Sequence, residues 1–469
     1  MSLDGTAIQR DVVVVGGGLA GTAAALALSE AGAGTSGNSI TVLDRRPTLG
    51  GRAYSYEHPA LEETIDSQHV LLGCCTNLVD LFNQAGAAET IRWYHELFFL
   101  EPNGNRSRLA SGGLPAPSHQ TMSFLRAPML SLGDKLGIAT GLLEFLRGYP
   151  ASDAESFATW LRRTKQTERA IRHFWEPVVV GALNDGFESC STKYAGKVFH
   201  ESFLRSAEAG RLGIPALPLS EWLAPLGDLA RSRGVDLRVK SGMTGIEPLP
   251  GGRWLVRTDG AVFESSHVIL AVDFKQTQSI LAALPGGESA ASQLDHFIAA
   301  PITTIHLWYD RPVIDVDHAV LLDTRIQWIF TKSRIRRWHA ERGTYLELVI
   351  SASWAELKMG REEILAAALE ELALFFPAVK GAELVKSGVL KEARATFSVT
   401  PGLDQYRPSQ TTQWPGLYLA GDWTATEWPS TMEGAVRSGR LAAGALAGDR
   451  NRYLAEELPP SGLMPLLVR

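Results

Sequence analysis

Cysteine is scarce in this chain, with three among 469 residues, Cys74, Cys75 and Cys190. So few thiols exclude a disulfide-stapled fold and point to a reducing, cytoplasmic compartment. A basic excess is lacking too: the formal charge is −6, so the electrostatic footprint of a nucleic-acid binder is missing and that class is set aside. Long apolar runs are few. The strongest near the start, Val12 to Leu28, is broken by four glycines and falls short of the roughly 20 steadily apolar residues a membrane span needs. It also lacks the cationic start and cleavage site of a secretory signal. What remains is a globular composition, 45% apolar and 20% charged, in a chain long enough for two packed lobes.

The same run reads well as strand, turn and helix. Four valines precede Gly16-Gly17-Gly18-Leu19-Ala20-Gly21, a G-x-G-x-x-G pattern, and an alanine-rich stretch follows. Gly16 permits the tight turn, Gly18 lets a pyrophosphate approach the backbone, and Gly21 lets helix and strand pack closely. The helix N-terminus at Leu19 and Ala20 then faces the phosphates. A second strand, ITVLD, ends at Asp44, whose carboxylate suits ribose hydroxyls. Residues 31–39, AGAGTSGNS, exceed what this unit needs and read as a flexible surface insertion.

Two further segments carry a resemblance. Residues 45–55, RRPTLGGRAYS, offer bare backbone at Gly50 and Gly51 and a planar donor fork at Arg52. Residues 416–446, GLYLAGDWTATEWPSTMEGAVRSGRLAAGAL, read as strand, turn and helix. Together with the fingerprint they resemble the flavin amine oxidase and carotenoid desaturase superfamily. That resemblance implies an FAD cofactor, with Arg45, Gly50, Gly51 and Arg52 near its pyrophosphate and flavin. It sets Asp422, after Gly421, on the ribityl and phosphate region, and Met432, Glu433 and Ala435 in a helix aimed at the flavin pyrimidine. Met243 would touch adenine through its backbone. The implied fold class is α/β, a discontinuous Rossmann-type FAD-binding domain (residues 8–80, 220–295 and 405–450) with a mixed α+β substrate lobe (81–219 and 296–404) and a tail at 451–469. With only one Rossmann fingerprint, an external electron donor or acceptor must be supplied.

Residues 81–219 are expected to be mainly helical, with Ser152 and Glu155 as a capping box and Pro177 as an interruption. Residues 127–148 are more apolar than a surface helix requires, and read as core or as a lip that meets a greasy substrate or a membrane. Residues 300–356 alternate as a sheet under a substrate cavity, with His306 and His200 as structural residues.

Within the superfamily, IDSQHVLLGCCTNL, FWEPVVVGALN, GDWTATEWPSTMEGAVRSG and EELPPSGLMPLL look like the hydroxysqualene dehydroxylases. That branch implies reductive removal of a hydroxyl by reduced FAD, a lipophilic triterpene substrate and possible peripheral membrane contact. It brings Asp66, Gln68 and His69 close to the flavin. Strand alternation sends Asp66 and Gln68 to one face and His69 to the other. A leaving hydroxide needs an acid, for which His69 and Asp66 are the candidates and Glu433 the reserve; that they only hold the flavin or its loop stays open. A carotenoid-type desaturase, which abstracts hydride and needs no proton donor, is the alternative. A flavin amine oxidase ranks below it, for the late strands show no obvious lysine near N5. No metal site is expected, and Cys74-Cys75 lacks the spacing of a redox dithiol, so both read as packing residues under the flavin.

Overall fold

The computed structural model describes residues 7–30 and 39–468. Apart from Ser39, the insertion expected at 31–39 lies outside the described residues.

Val12 to Val15 are at most 4% exposed, because the strand Ile8–Val15 lies inside a parallel sheet covered on both faces. It is flanked by Ile40–Leu43 on one edge and Val262–Leu270 on the other, both parallel to it. Asp236–Arg238 extends the sheet beyond Ile40–Leu43. The free edge of Val262–Leu270 is divided, its first half pairing with the antiparallel strand Arg253–Thr258 and its end with Leu417–Leu419. Three distant stretches of chain therefore build one sheet, which carries the ends of Ile8–Val15 and Leu417–Leu419 toward the same place. Helix Leu19–Leu28 is buried along its whole length, consistent with its alanine content. Helix Met432–Leu446 lies against it so closely that a Cβ on Gly439 would come within 2.0 Å of the Ala20 carbonyl oxygen.

The second sheet has seven strands: Leu384–Phe397, Ala299–Tyr309, Thr344–Ser351, Trp328–Thr331, His318–Leu321, Glu96–Leu100 and Arg106–Ala110 in spatial order. The last two form a hairpin inside 81–219, a segment whose regular structure is otherwise mainly helical, as expected. Asn103-Gly104 turns this hairpin, with Gly104 at φ +87°, a type of turn signal that outweighs weak helical periodicity. A further small sheet joins Leu71–Leu72, Leu212–Pro215 and Ile91–Tyr94.

The helix expected after Ser152 starts later. Ser156 caps Phe157–Arg163 by accepting from the Thr159 amide (3.2 Å), while Ser152 accepts from Ala154 N (3.3 Å) and Glu155 pairs with Arg163. Pro177 does not end the following helix. It lies just after a π-helical turn at Ile171–Trp175, and the helical backbone continues through it into Glu176–Leu183. A second π turn spans Phe199–Leu204. Among the described residues no helix is long and apolar enough to cross a membrane.

Candidate active site

Between the sheets lies a cavity of about 910 Å³. One end is a glycine trough. Gly50 N donates to the Gly17 carbonyl (2.9 Å), locking the second glycine loop onto the first. A Cβ on Gly18 would stand 3.5 Å from Gly51 Cα, filling the slot between them. Asp44 accepts from Gly17 N and Arg46 N, both at 2.7 Å, so its carboxylate ties the two turns together at the cavity wall. Ser241 N donates to the Asp44 carbonyl (2.7 Å), which sets Met243 beside Arg45 at the same end. Arg46, rather than Arg45, reaches the second loop, donating to the Gly51 carbonyl.

Asp422 faces the trough across the cavity. Gly421 at φ +146° makes the turn, and Arg52 donates to Asp422 Oδ1 while Ser430 donates to Oδ2. Arg52 and Asp422, expected at separate parts of the cofactor, are thus an ion pair. The loop between Asp422 and Trp428 is held from behind by Arg407, a buried residue that donates to the carbonyls of Asp422 (2.8 Å), Thr424 (2.6 Å) and Trp428 (2.8 Å). Sequence reading missed Arg407. Its segment, DQYRPSQ, has no motif, and an arginine that serves mainly backbone carbonyls, with the Tyr194 and Thr426 hydroxyls beside them, leaves no characteristic partner residue to look for. Thr431 caps Met432–Leu446 by accepting from Gly434 N (3.0 Å), leaving that helix N-terminus at the cavity.

Every residue expected at the cofactor lines this one cavity except Gly21. A Cβ there would be 1.9 Å from the Gly16 carbonyl oxygen, so Gly21 serves the packing of helix on turn. Glu433 also needs correcting. Its Oε1 accepts from Asn77 N (3.2 Å) and Asn77 Nδ2 (3.0 Å), and its Oε2 from Leu78 N (2.8 Å). It caps the helix Thr76–Gln84 from outside that helix, which leaves neither oxygen free for cofactor or substrate.

The stretch 64–70 is not a continuous strand. Glu63–Ile65 pairs with Tyr56–His58, and the chain then runs extended and unpaired to Leu71. Alternation still holds, since Lys332 Nζ donates to both Asp66 Oδ1 (2.7 Å) and Gln68 Oε1 (2.8 Å). Asp66 is buried and also takes Arg336 Nη2 (3.0 and 3.1 Å) and Leu219 N (2.9 Å). Burial alone would raise its carboxyl, but Lys332 and Arg336 hold it down at about 2. Asp66 is therefore an ionised structural anchor, and the expectation that it serves as a proton donor is overturned. Gln68 is likewise engaged, its amide nitrogen donating to the His69 carbonyl (2.7 Å).

Lys332 also lies 3.0 Å from Glu347 Oε2. A buried lysine thus follows the late strand Trp328–Thr331, but away from the place near N5 that an amine oxidase would need. Two carboxylates and Gln68 bind its ammonium, and it is not among the cavity-lining residues. His69 does line the cavity. Its Nδ1 donates to the Ser67 carbonyl (2.8 Å), and burial lowers its pKa despite that bond. A neutral imidazole so held presents Nε2 as an acceptor, so it suits proton receipt and not donation.

Beyond these residues the cavity is mainly apolar, walled by Leu97, Val178, Val198, Phe203, Ile302 and Trp328, with Asn184 and Glu201 among the polar exceptions. Several of its wall residues sit in or beside the π turns, Pro177 and Val178 after the first, Val198 just before the second, and Glu201, Ser202 and Phe203 within it. Extra residues per turn of this kind recur where a helix must offer side chains to a site. One cation interrupts the greasy wall. Lys197, 6% exposed, donates to Tyr149 Oη (2.9 Å) and stands 4.8 Å from the Trp428 ring centroid. Cys75 precedes the helix Thr76–Gln84, and its thiol is pushed up by the neighbouring Cys74 and by burial, so it behaves as a packing residue.

The glycine trough, the exposed helix N-terminus and the slot at Gly18 fit an extended dinucleotide leading to an aromatic ring system. The family model described as flavin containing amine oxidoreductase matches residues 19–447. The chain belongs to this family. FAD is accordingly its cofactor, and the fold is the α/β amine oxidase-like one. The chain is 26% identical over 469 residues to 15-cis-phytoene desaturase of Synechococcus elongatus, covering 93% of this chain and 95% of the relative. It is 27% identical over 477 residues to a probable zeta-carotene desaturase of the same organism, covering 93% and 98%. In structure it resembles putrescine oxidase (TM-score 0.72, 18% identity, 94% and 100% of the two chains) and cyclohexylamine oxidase of Brevibacterium oxydans (TM-score 0.65, 18% identity, 94% and 99%). Similarity at that level speaks for the fold alone.

The similarities in sequence correct the expected reaction. Hydroxysqualene dehydroxylation gives way, because the similar proteins are phytoene and zeta-carotene desaturases and the carotenoid alternative accounts for them better. The ionised Asp66 agrees with that correction, since a site that must protonate hydroxide is poorly served by it.

Proposed function

We propose that this flavoprotein is a desaturase of a long, apolar isoprenoid polyene of the carotenoid type. The observation that carries the reading is the similarity to phytoene and zeta-carotene desaturases over 93% of this chain. The chemistry of the cavity supports it. Removing two hydrogens from neighbouring carbons needs a hydride acceptor, a proton acceptor and a dry apolar channel, and no acid. FAD, when bound, supplies the hydride acceptor. Among this chain's residues, His69 offers an unprotonated Nε2 at the cavity wall, and the leucine, valine and phenylalanine side chains exclude water from the reacting carbons.

The test is anaerobic mixing of the oxidised holoprotein with phytoene or zeta-carotene in detergent, followed by flavin absorbance. Bleaching of the oxidised band at substoichiometric substrate is expected. An oxidised spectrum that persists with both polyenes, while the reduced protein converts hydroxysqualene, would overturn the reading.

A further inference from the structure

We propose that the outward face of helices Thr121–Arg126 and Leu132–Phe145, together with the C-terminal turn at 463–466, seats the protein on an anionic lipid surface. Helix Leu132–Phe145 turns Asp134, Ile138, Gly141 and Phe145 into the core. Its opposite side is not polar, as a soluble helix would have it: Leu132, Leu136 and Leu143 are 68%, 61% and 65% exposed. The preceding helix adds Met122 and Leu125, each about half exposed. The apolar character of 127–148 is thus divided between core and surface.

The tail reaches the same region independently. Leu463 N donates to the Ala116 carbonyl (2.8 Å), in the loop that leads into Thr121–Arg126, and Ser461 N to the Arg205 carbonyl (3.0 Å). Met464 is fully buried in the core that contains Ala116, Met129 and Ile138, which leaves Leu466 84% exposed beside it. Among the described residues, seven of the fourteen exposed large hydrophobic side chains fall on these helices and this turn. Soluble monomers rarely leave such surface uncovered.

Charge favours a lipid partner. Arg126 and Arg147 are exposed on this face and enter no ion pair among the described residues, whereas nearby Arg163 is matched by Glu144 and Glu155. Basic side chains flanking exposed leucines are the pattern of an interfacial helix on anionic lipid. The segment whose Arg205 carbonyl holds the tail also supplies Val198, Phe203 and Leu212 to the cavity wall. The choice of a bilayer over another apolar partner rests on the reading of that cavity as an isoprenoid site.

Co-sedimentation of the holoprotein with phosphatidylcholine vesicles, with and without phosphatidylglycerol, tests the face without any substrate, so its failure is separable from failure of the desaturase reading. Binding to the anionic vesicles is expected. The variant Leu132→Ser/Leu136→Ser/Leu143→Ser should bind about 100-fold more weakly, as three partly buried leucines are lost. Arg126→Gln/Arg147→Gln should bind both vesicles about equally, since each basic residue near an anionic surface contributes roughly fivefold. An unchanged flavin spectrum establishes that each variant is folded, and Leu125→Ser/Leu466→Ser serves as a second, milder variant. Absence of wild-type binding to either vesicle overturns the proposal. So does concentration-dependent dimerisation in sedimentation velocity that the triple variant abolishes, which would make the face a contact between copies.

Discussion

Asp66→Asn separates structural anchoring from chemistry. In the wild type the carboxylate accepts from Lys332 Nζ, Arg336 Nη2 and Leu219 N within 3.1 Å in a fully buried site. An asparagine retains one oxygen there, and its amide nitrogen meets donors from Arg336 or Leu219. Losing one partner of a buried ion pair costs about 3–5 kcal/mol. Because unfolding entropy is about 2.1 cal/mol/K per residue, each kcal/mol corresponds to about 1 °C in a chain of 469 residues, and Tm should fall by about 3–5 °C at pH 7. The pH dependence has a defined sign. Asp66 titrates at about 2 in the folded protein, below the ordinary 3.8. Its contribution, about 2 kcal/mol, is complete above about pH 4 and is lost as pH falls toward 2. The gap in Tm between wild type and variant should therefore narrow on acidification through that window. Differential scanning calorimetry from pH 7 down to the acid limit of stability measures this, alongside turnover of the flavin-loaded protein. A variant with unchanged Tm at pH 7 and abolished turnover would refute the anchoring role and restore Asp66 to the chemistry.

The glycine trough makes a sharper demand. Gly18→Val places a branched side chain in the slot facing Gly51 and should yield colourless protein of native circular dichroism, whereas a yellow variant would show that the cofactor does not use this slot. Cys75 and Cys190, both buried with raised pKa values, should resist alkylation by iodoacetamide at pH 7.5 in the native protein; rapid labelling read by mass spectrometry would contradict their packing role.

The cofactor trough was legible because each of its parts is a local constraint. A glycine that must turn, a strand that must be apolar on both faces and a carboxylate at a strand end all leave their mark within a short window of sequence. The roles of Asp66 and Glu433 were not, because they depend on residues far away. Asp66 is fixed by Lys332 and Arg336, more than 260 positions later, and Glu433 by the N-terminus of a helix at Thr76. An acidic residue in a flavin-adjacent motif looks the same in sequence whether it is a free acid or a clamped anion. The hairpin at 96–110 was missed for a different reason: its Asn-Gly turn was present, but the surrounding helices set the expectation for the whole lobe. The exposed leucines of 132–143 posed the converse problem, since apolar content cannot say which side of a helix meets solvent until its packing partners are known.

Product analysis tests the central claim most directly. The oxidised holoprotein is incubated anaerobically with phytoene and zeta-carotene in turn, and the extracted lipids are analysed by mass spectrometry and visible absorbance. The desaturase reading predicts a product two hydrogens lighter, with its absorption shifted to longer wavelength by the lengthened conjugation, formed in step with flavin reduction. Polyenes recovered unchanged from a protein whose flavin still cycles with an artificial donor would contradict it.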